Sequence, residues 1–327
     1  DSIKSVEPFL FNLFNDPVII RLPNPLRWLV AKLISKRRAP VAQKIYAEIG
    51  GKSPILDLTQ KQGQALEKGL GSDTKVFISM RYWHPMSAAT ALDVQKFDPD
   101  EIILLPLYPQ FSTTTTGSSF LDWNLAAKKI GLVKPTKSIC CYPTELNLIK
   151  AQVDLLNKEI SKTRKRTRVL FSAHGLPIKV IEKGDPYQAQ IEETAKAIAK
   201  AAGLSVSDWR VCYQSRVGPL KWLTPSLEDE LNNAFRDKIG VIILPIAFVS
   251  EHSETLVELD IEYREIAKKL NLSSYNRVPA LGTHPDFISG LVKMIDQASA
   301  NSVELTSETG HRMCPKDRTC CIHPEKK

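Results

Sequence analysis

Short continuous apolar runs alternate along this chain with segments whose apolar residues recur at helical spacing. The runs Val76 to Met80, Glu101 to Leu107, Arg168 to Ser172, Trp209 to Tyr213 and Val241 to Ile246 are short and rich in Val, Ile and Leu, and predict buried strands. Between them, Leu56 to Leu70, Met86 to Phe97, Ser118 to Ile130, Asp185 to Ala202, Ser226 to Phe235 and Glu254 to Leu270 carry helical stripes. Strands alternating with helices of this length predict parallel βαβ units.

The plan occurs twice. IILLPLYPQFS at 102–112 echoes VIILPIAFVSE at 241–251, and VFISMRYWHP at 76–85 echoes VLFSAHGLPI at 169–178. The expected fold is therefore α/β, two Rossmann-like lobes of parallel sheet flanked by helices, with the site in the cleft between them. We place the lobes at residues 1–150 and 151–300, followed by a cysteine-bearing extension at 301–327.

The stretch VSEHSETLVELDIEYREI, Val249 to Ile266, departs from an ordinary amphipathic pattern. On an α-helix Glu251, Glu254, Glu258, Glu262 and Glu265 share an arc of roughly 80°. Leu256, Leu259, Tyr263, Ile266 and Leu270 lie opposite. Such a ridge is commonly a solvated face. Like charges at i,i+4 nevertheless destabilise a helix by about 0.2–0.5 kcal/mol per pair, and no cation interrupts them before Lys268. With His252 at its head, the ridge suits a divalent metal or a proton route.

Residues 3–34 are dense in large apolar side chains, but Asp16-Pro17 and Pro23-Asn24-Pro25 forbid one long helix. Two short amphipathic helices joined by a turn fit better. Their excess of apolar surface, with Lys32, Lys36, Arg37 and Arg38 behind it, is either core or a lip for a membrane or an apolar ligand.

Composition narrows the class. The 327 residues carry a formal net charge of +8, 43% hydrophobic and 24% charged residues, so acids are not the default surface. No run approaches the ~18–20 residues of a membrane span, and the start lacks a secretory layout, which points to an intracellular protein. The basic balance brings no nucleic-acid signature, so nucleic acid is not an expected partner. Gly50-Gly51-Lys52-Ser53-Pro54 has the wrong spacing for a phosphate loop. G-x-S-x-G, H-E-x-x-H and a Rossmann glycine fingerprint are absent. Five of six cysteines fall in two groups, Cys140 with Cys141 and Cys314 with Cys320 and Cys321, which suggests metal before disulfide.

The unusual residues sit at strand ends: Arg81, Tyr82 and His84 after one strand, Tyr108 to Thr116 after another, His174 after a third. Tyr213 to Trp222 and Phe248 to Glu254 follow the last two. His174, before Gly175, reads either as a histidine bonded to a loop carbonyl or as a proton acceptor facing the cleft.

These residues carry a resemblance. FSAHGLP with GDPY, QSRVGPLKWLTPS and LPIAFVSEHSETLVELDIEY, together with KRRAPVAQ, IGGKSPI, MRYWHP and LYPQFSTTTTGSS, make the chain similar to the ferrochelatase family over nearly its whole length. The resemblance implies insertion of Fe(II) into protoporphyrin IX to give protohaem, with loss of two pyrrole protons.

By position, His174, His252 and Glu254 match the catalytic set, and His174, Glu254, Glu258 and Glu262 the metal path, on a helix with a π-type widening. Arg38, Ser53, Arg81, Tyr82, Tyr108, Arg216, Trp222 and Phe248 match the porphyrin pocket. Glu251 stands where many relatives have Asp.

Relatives also open with a strand ahead of the segment matching Asp1, so the resemblance implies a first-sheet element that this sequence does not carry. Some members bind a [2Fe–2S] cluster through three C-terminal cysteines and a distant fourth. Cys314, Cys320 and Cys321 match the three. Thr113 stands at the animal fourth position, which leaves Cys140 or Cys141. The family further implies a peripheral place on the cytoplasmic face of the inner membrane and a homodimer. A porphyrin- or haem-binding carrier and a cobalt or nickel chelatase are the alternatives.

Overall fold

The computed structural model describes residues 2–163, 165–216 and 218–323. The chain begins with α1 (Val6–Phe14), α2 (Leu26–Ala47), α3 (Ile55–Leu70) and α4 (Ser87–Phe97). It continues through β1 (Ile102–Leu104), α5 (Ser118–Ile130), β2 (Thr136–Ile139) and α6 (Leu146–Lys162). Then come β3 (Thr167–His174), α7 (Ile178–Glu182), α8 (Tyr187–Ala201), β4 (Trp209–Gln214), α9 (Leu227–Arg236) and β5 (Gly240–Pro245). A π-helix (Glu254–Glu262) runs into α10 (Tyr263–Lys269), followed by β6 (Tyr275–Arg277), α11 (Pro285–Ala300) and β7 (Leu305–Thr306).

Two parallel sheets form, one ordered β1-β2-β7 and the other β4-β3-β5-β6. Every residue of β5 is buried, as a strand covered on both faces requires. On one face Phe171, Ile191, Ile198 and Ile242 form a core with α8; on the other Leu170, Leu227, Leu231 and Ala267 join α9 and α10. The first sheet packs on α11 and α3 through Ile139, Leu291, Met294 and Leu66. After the second sheet the chain crosses back, and β7 pairs with β2.

Three elements differ from expectation. Residues 75–79 are extended but unpaired, because no described strand runs beside them; Met80 only bridges to Met86. The apolar run at 101–107 pairs over Ile102–Leu104 alone. The acidic stretch is not one α-helix: the nine residues Glu254–Glu262 are π, with about five residues between bonded groups. The wider turn breaks the five-acid ridge. Glu251 faces Arg277, Glu254 and Glu258 face β3 and β4, Glu262 is exposed, and Glu265 pairs with Lys268 outside.

α1 and α2 form the expected helix pair, although α2 runs on through Pro40 to Ala47. Its buried face holds the small residues Ala31, Ser35 and Ala39, while Leu26, Leu29 and Leu33 point outward, Leu33 with 71% of its surface exposed. No described helix is long and apolar enough to cross a membrane.

Candidate active site

His174 is the last residue of β3, paired in register with Gln214 of β4. The backbones approach closely there: the Gly175 N–H donates to the Gln214 carbonyl at 2.8 Å, and a Cβ on Gly175 would lie 2.9 Å from that oxygen. Only glycine fits, and the tight turn carries the imidazole to the strand end. The His174 carbonyl accepts from the Tyr187 hydroxyl at 3.1 Å.

The His174 Nδ1 lies 2.9 Å from Oε2 of Glu254, the first residue of the π-helix. Burial alone would lower the His174 pKa, but the Glu254 charge and hydrogen bond, with Glu258 behind, raise it above its ordinary value. Burial likewise opposes ionisation of Glu254, yet His174 and His252 hold that carboxyl down at about 2. The contact shifts the pair towards its imidazolium–carboxylate form.

His252 is of the opposite kind. Its Nδ1 accepts the Glu254 N–H at 3.0 Å, which places the ring proton on Nε2, and burial lowers its pKa despite Glu254 and Glu251. Phe248 meets it edge-on at 4.6 Å. The cleft thus sets one basic and one neutral imidazole about a single carboxylate.

Glu258 continues inward. It accepts from the Ser215 N–H at 2.7 Å and from the Gln214 amide at 3.1 Å. Burial and the Glu254 charge nevertheless raise its pKa. Ser215 holds a left-handed φ of 62°, a conformation costing roughly 1–3 kcal/mol outside glycine, and its N–H and hydroxyl both grip Glu258. Gln214 is fully buried, oriented by the Ser172 hydroxyl at 2.7 Å, and also donates to the Glu254 carbonyl.

The first lobe supplies the facing wall. Tyr46 of α2 bonds Ser253 and is acted on by Glu254, while Tyr108 lies between the charges of Arg81 and Glu254; burial raises both phenols. Gln62 of α3 bonds the carbonyls of Val249 and Gly282, each at 2.9 Å, and accepts from Ser250. Trp222 lies beside Gly175, and its indole N–H is buried without a hydrogen-bond partner among the described residues.

The structure therefore assembles His174, His252, Glu254, Glu258, Phe248, Tyr108 and Trp222. Arg216 is exposed beside them, 4.0 Å from Asp229. The remaining predicted residues are engaged elsewhere. Arg81 and Tyr82 both donate to the buried Asp16, at 2.7 and 2.9 Å, tying the end of the lip to the first lobe. Arg38 is exposed over the Phe14 ring, Ser53 accepts the Ile55 N–H at the start of α3, and Glu262 faces solvent. Gln214, Ser215, Tyr46 and Gln62 were not singled out from the sequence. The first two carried a signal, since they sit just after a strand whose following segment was already suspect.

The cysteines gather beyond the cleft. Cys140 and Cys141, buried after β2, lie 3.6 Å apart at sulfur. Cys314 takes a hydrogen bond from Gln190 at 3.1 Å, lies close to Cys141, and bonds Cys321, whose thiol is pulled down to about 6 by Cys314 and Arg312. Cys320 turns away to the Lys183 carbonyl at 3.1 Å. Among the described residues no three His, Cys, Asp or Glu side chains converge at metal-ligand spacing.

Comparison with known proteins shows the family. The ferrochelatase family model matches residues 1–299. A ferrochelatase of Pelagibacter ubique (strain HTCC1062) is 53% identical over 300 residues, covering 90% of this chain and 87% of its own. One from Rickettsia bellii (strain OSU 85-389) is 50% identical over 330 residues, covering 98% and 91%. One from Caulobacter vibrioides (strain NA1000 / CB15N) is 49% identical over 328 residues, covering 98% and 93%. Among solved structures, the sirohydrochlorin chelatase SirB of Bacillus subtilis subspecies spizizenii in complex with cobalt aligns with a TM-score of 0.53 at 14% identity, over 75% of this chain and 91% of that one. SirB from Bacillus subtilis with Fe3+ aligns at 0.51 and 16%, over 74% and 90%. At such identity these two show the fold alone.

Proposed function

The chain belongs to the ferrochelatase family, enzymes that insert Fe(II) into protoporphyrin IX to form protohaem, and from that premise we propose the roles of its residues. His174 accepts the pyrrole protons, and Glu254 stabilises the imidazolium that results. Glu258 and Glu262 continue a carboxylate line from the cleft to solvent, along which the cation reaches the ring. His252, neutral and with its Nε2 proton fixed, completes the wall opposite the macrocycle. The observation that carries this reading is the 2.9 Å contact of His174 with Glu254 at the head of a π-helix.

Phe248, Trp222, Tyr108 and Arg216 are proposed to hold the porphyrin. A ring bent between them exposes its nitrogen lone pairs, and binding energy spent on that strain favours metallation. Arg81 and Tyr82 act on the substrate indirectly through Asp16, and Arg38 and Ser53 stand at the rim.

The outward leucines of α2 above Lys32, Lys36, Arg37 and Arg38 support peripheral binding to an anionic membrane, which we place at the cytoplasmic face of the inner membrane. A homodimer is the assembly implied by the family, and light scattering reads it. The thiols suit a [2Fe–2S] cluster in kind. The resemblance implies Cys314, Cys320 and Cys321 with Cys140 or Cys141, but Cys320 turns to the Lys183 carbonyl. The set proposed is therefore Cys140, Cys141, Cys314 and Cys321, which would have to draw together to reach metal-ligand spacing, with Cys321 already inclined to the thiolate form. Such a cluster would supply one-electron redox chemistry or a structural cross-link.

Anaerobic turnover with protoporphyrin IX and Fe(II), or Zn(II) as surrogate, followed by porphyrin absorption, tests the assignment. Metalloporphyrin formation that disappears in His174→Ala while porphyrin still binds is expected. Tight binding without metallation in the unsubstituted protein would instead indicate a carrier.

A further inference from the structure

Behind the wall of His252 and Glu254 lies a buried ion network that no step above employs. Arg277, the last residue of β6, has a side chain only 9% exposed. Its guanidinium donates from Nε and Nη2 to the two carboxylate oxygens of Asp260, at 2.8 and 2.6 Å, and from Nη1 to Glu251 Oε1 at 2.8 Å. That Glu251 oxygen also accepts the Ala280 N–H at 2.8 Å.

The two carboxylates stand at telling places. Glu251 immediately precedes His252, and Asp260 lies within the π-helix, six residues beyond Glu254. One planar cation therefore fastens both the approach to the π-helix and its far side to the same strand. A π-turn is rare and has weaker internal order than an α-turn, so its width must be imposed from outside. The same strand adds a third hold, for the Tyr275 hydroxyl donates to the Leu259 carbonyl. Glu254 and Glu258 project from the opposite side of this anchored segment.

We propose that Arg277 is a positioning residue of the chelatase reaction, holding His252 and Glu254 against His174 through its fork to Glu251 and Asp260. The proposal rests on the roles given above to His174 and Glu254. Lysine cannot replace this function: an ammonium is a point charge and fixes no relative orientation of two carboxylates, whereas the guanidinium plane does.

The test compares Arg277→Lys and the triple variant Arg277→Met/Glu251→Gln/Asp260→Asn with Glu254→Gln, by steady-state Zn(II) insertion into protoporphyrin IX, fluorescence titration of the porphyrin, and circular dichroism. Arg277→Lys keeps the charge, and the triple variant leaves no buried charge unpaired, so a failure of one to fold leaves the other to decide. The expected result is a kcat lowered at least tenfold, with porphyrin Kd and KM within twofold of the parent.

A role confined to stability would lower the melting temperature yet leave kcat unchanged in the folded protein. That result in either folded variant, alongside an inactive Glu254→Gln, overturns the proposal. A loss of porphyrin affinity matching the loss of kcat also overturns it, since the damage would then be general. If Glu254→Gln itself turns over like the parent, the site assignment fails and this inference with it.

Discussion

At the scale of single residues the site is a contest between burial and mutual charge. Burial alone would push both His174 and Glu254 towards their neutral forms, and their 2.9 Å contact turns the shift the other way for each. Because the folded pKa of His174 lies above 6.5, its protonated form stabilises the fold below that value, and the contribution is lost as pH rises through the raised pKa. Glu254 contributes above its ordinary 4.5, and loses its contribution as pH falls towards about 2. A proton acceptor must be neutral, so the rate of metal insertion should climb as pH passes through the raised His174 value, with its acid limb above 6.5. Glu254→Gln removes the anion but keeps the burial, so the limb should move to lower pH. An unshifted limb in the pH dependence of kcat would exclude this coupling. His174→Ala should cost about 10²–10⁴-fold in kcat, the usual worth of a general base. The strand end and the glycine mark this histidine in the sequence, whereas Ser215 is marked only as part of the unusual segment Tyr213 to Trp222. A left-handed serine is invisible until the carboxylate that compensates it, Glu258, is in place.

At the scale of elements, most helices and the strands β3, β4 and β5 of the second sheet were legible because their apolar periods are set by local geometry, whereas the three-residue β6 was too short to register. The acidic segment was misjudged for the same reason: an arc drawn at 3.6 residues per turn does not describe a π-turn held open by β6 and by the Ser215 loop. The lip was read correctly as two helices, but only the structure shows that α2 buries Ala31, Ser35 and Ala39 and exposes its leucines. That inversion has a measurable consequence. Replacing the half-exposed Trp28 and Leu29 and the exposed Leu33 with Ser removes about 3 kcal/mol of apolar transfer energy, a factor of roughly 100 in partition onto anionic vesicles. Turnover with detergent-dispersed porphyrin should persist. Vesicle sedimentation unchanged by the triple substitution would remove the lip from any membrane role.

At the scale of the whole molecule, what the sequence could not reveal is how the end of the chain returns. α11 and β7 follow the second sheet in sequence but pack on the first, and β7 is two residues long, too short for any periodicity to register. That return carries Cys314 and Cys321 to Cys141, and the tail is seated across Gly184, where a Cβ would strike Thr319 at 2.2 Å. The lobes meet along the same seam. Gln190 of the second lobe accepts the Phe111 N–H of the first at 2.7 Å and donates to Cys314, while Asp185 accepts the Thr113 N–H at 2.8 Å. Occupancy of the thiol site should therefore be felt across the seam between the lobes. On the cluster proposed above, protein purified without oxygen should show sulfur-to-iron charge-transfer bands, and their absence would remove the cluster. The bands should vanish in Cys141→Ser and Cys314→Ser and survive in Cys320→Ser, whose thiol faces Lys183 instead. The first two variants should also lower the melting temperature, because a metal held by thiols of both parts would add a cross-link to the Gln190, Asp185, Gln110 and Thr194 bonds that close the seam. Bands lost in Cys320→Ser and kept in Cys141→Ser would assign the ligands to the tail alone and uncouple the cluster from the lobes.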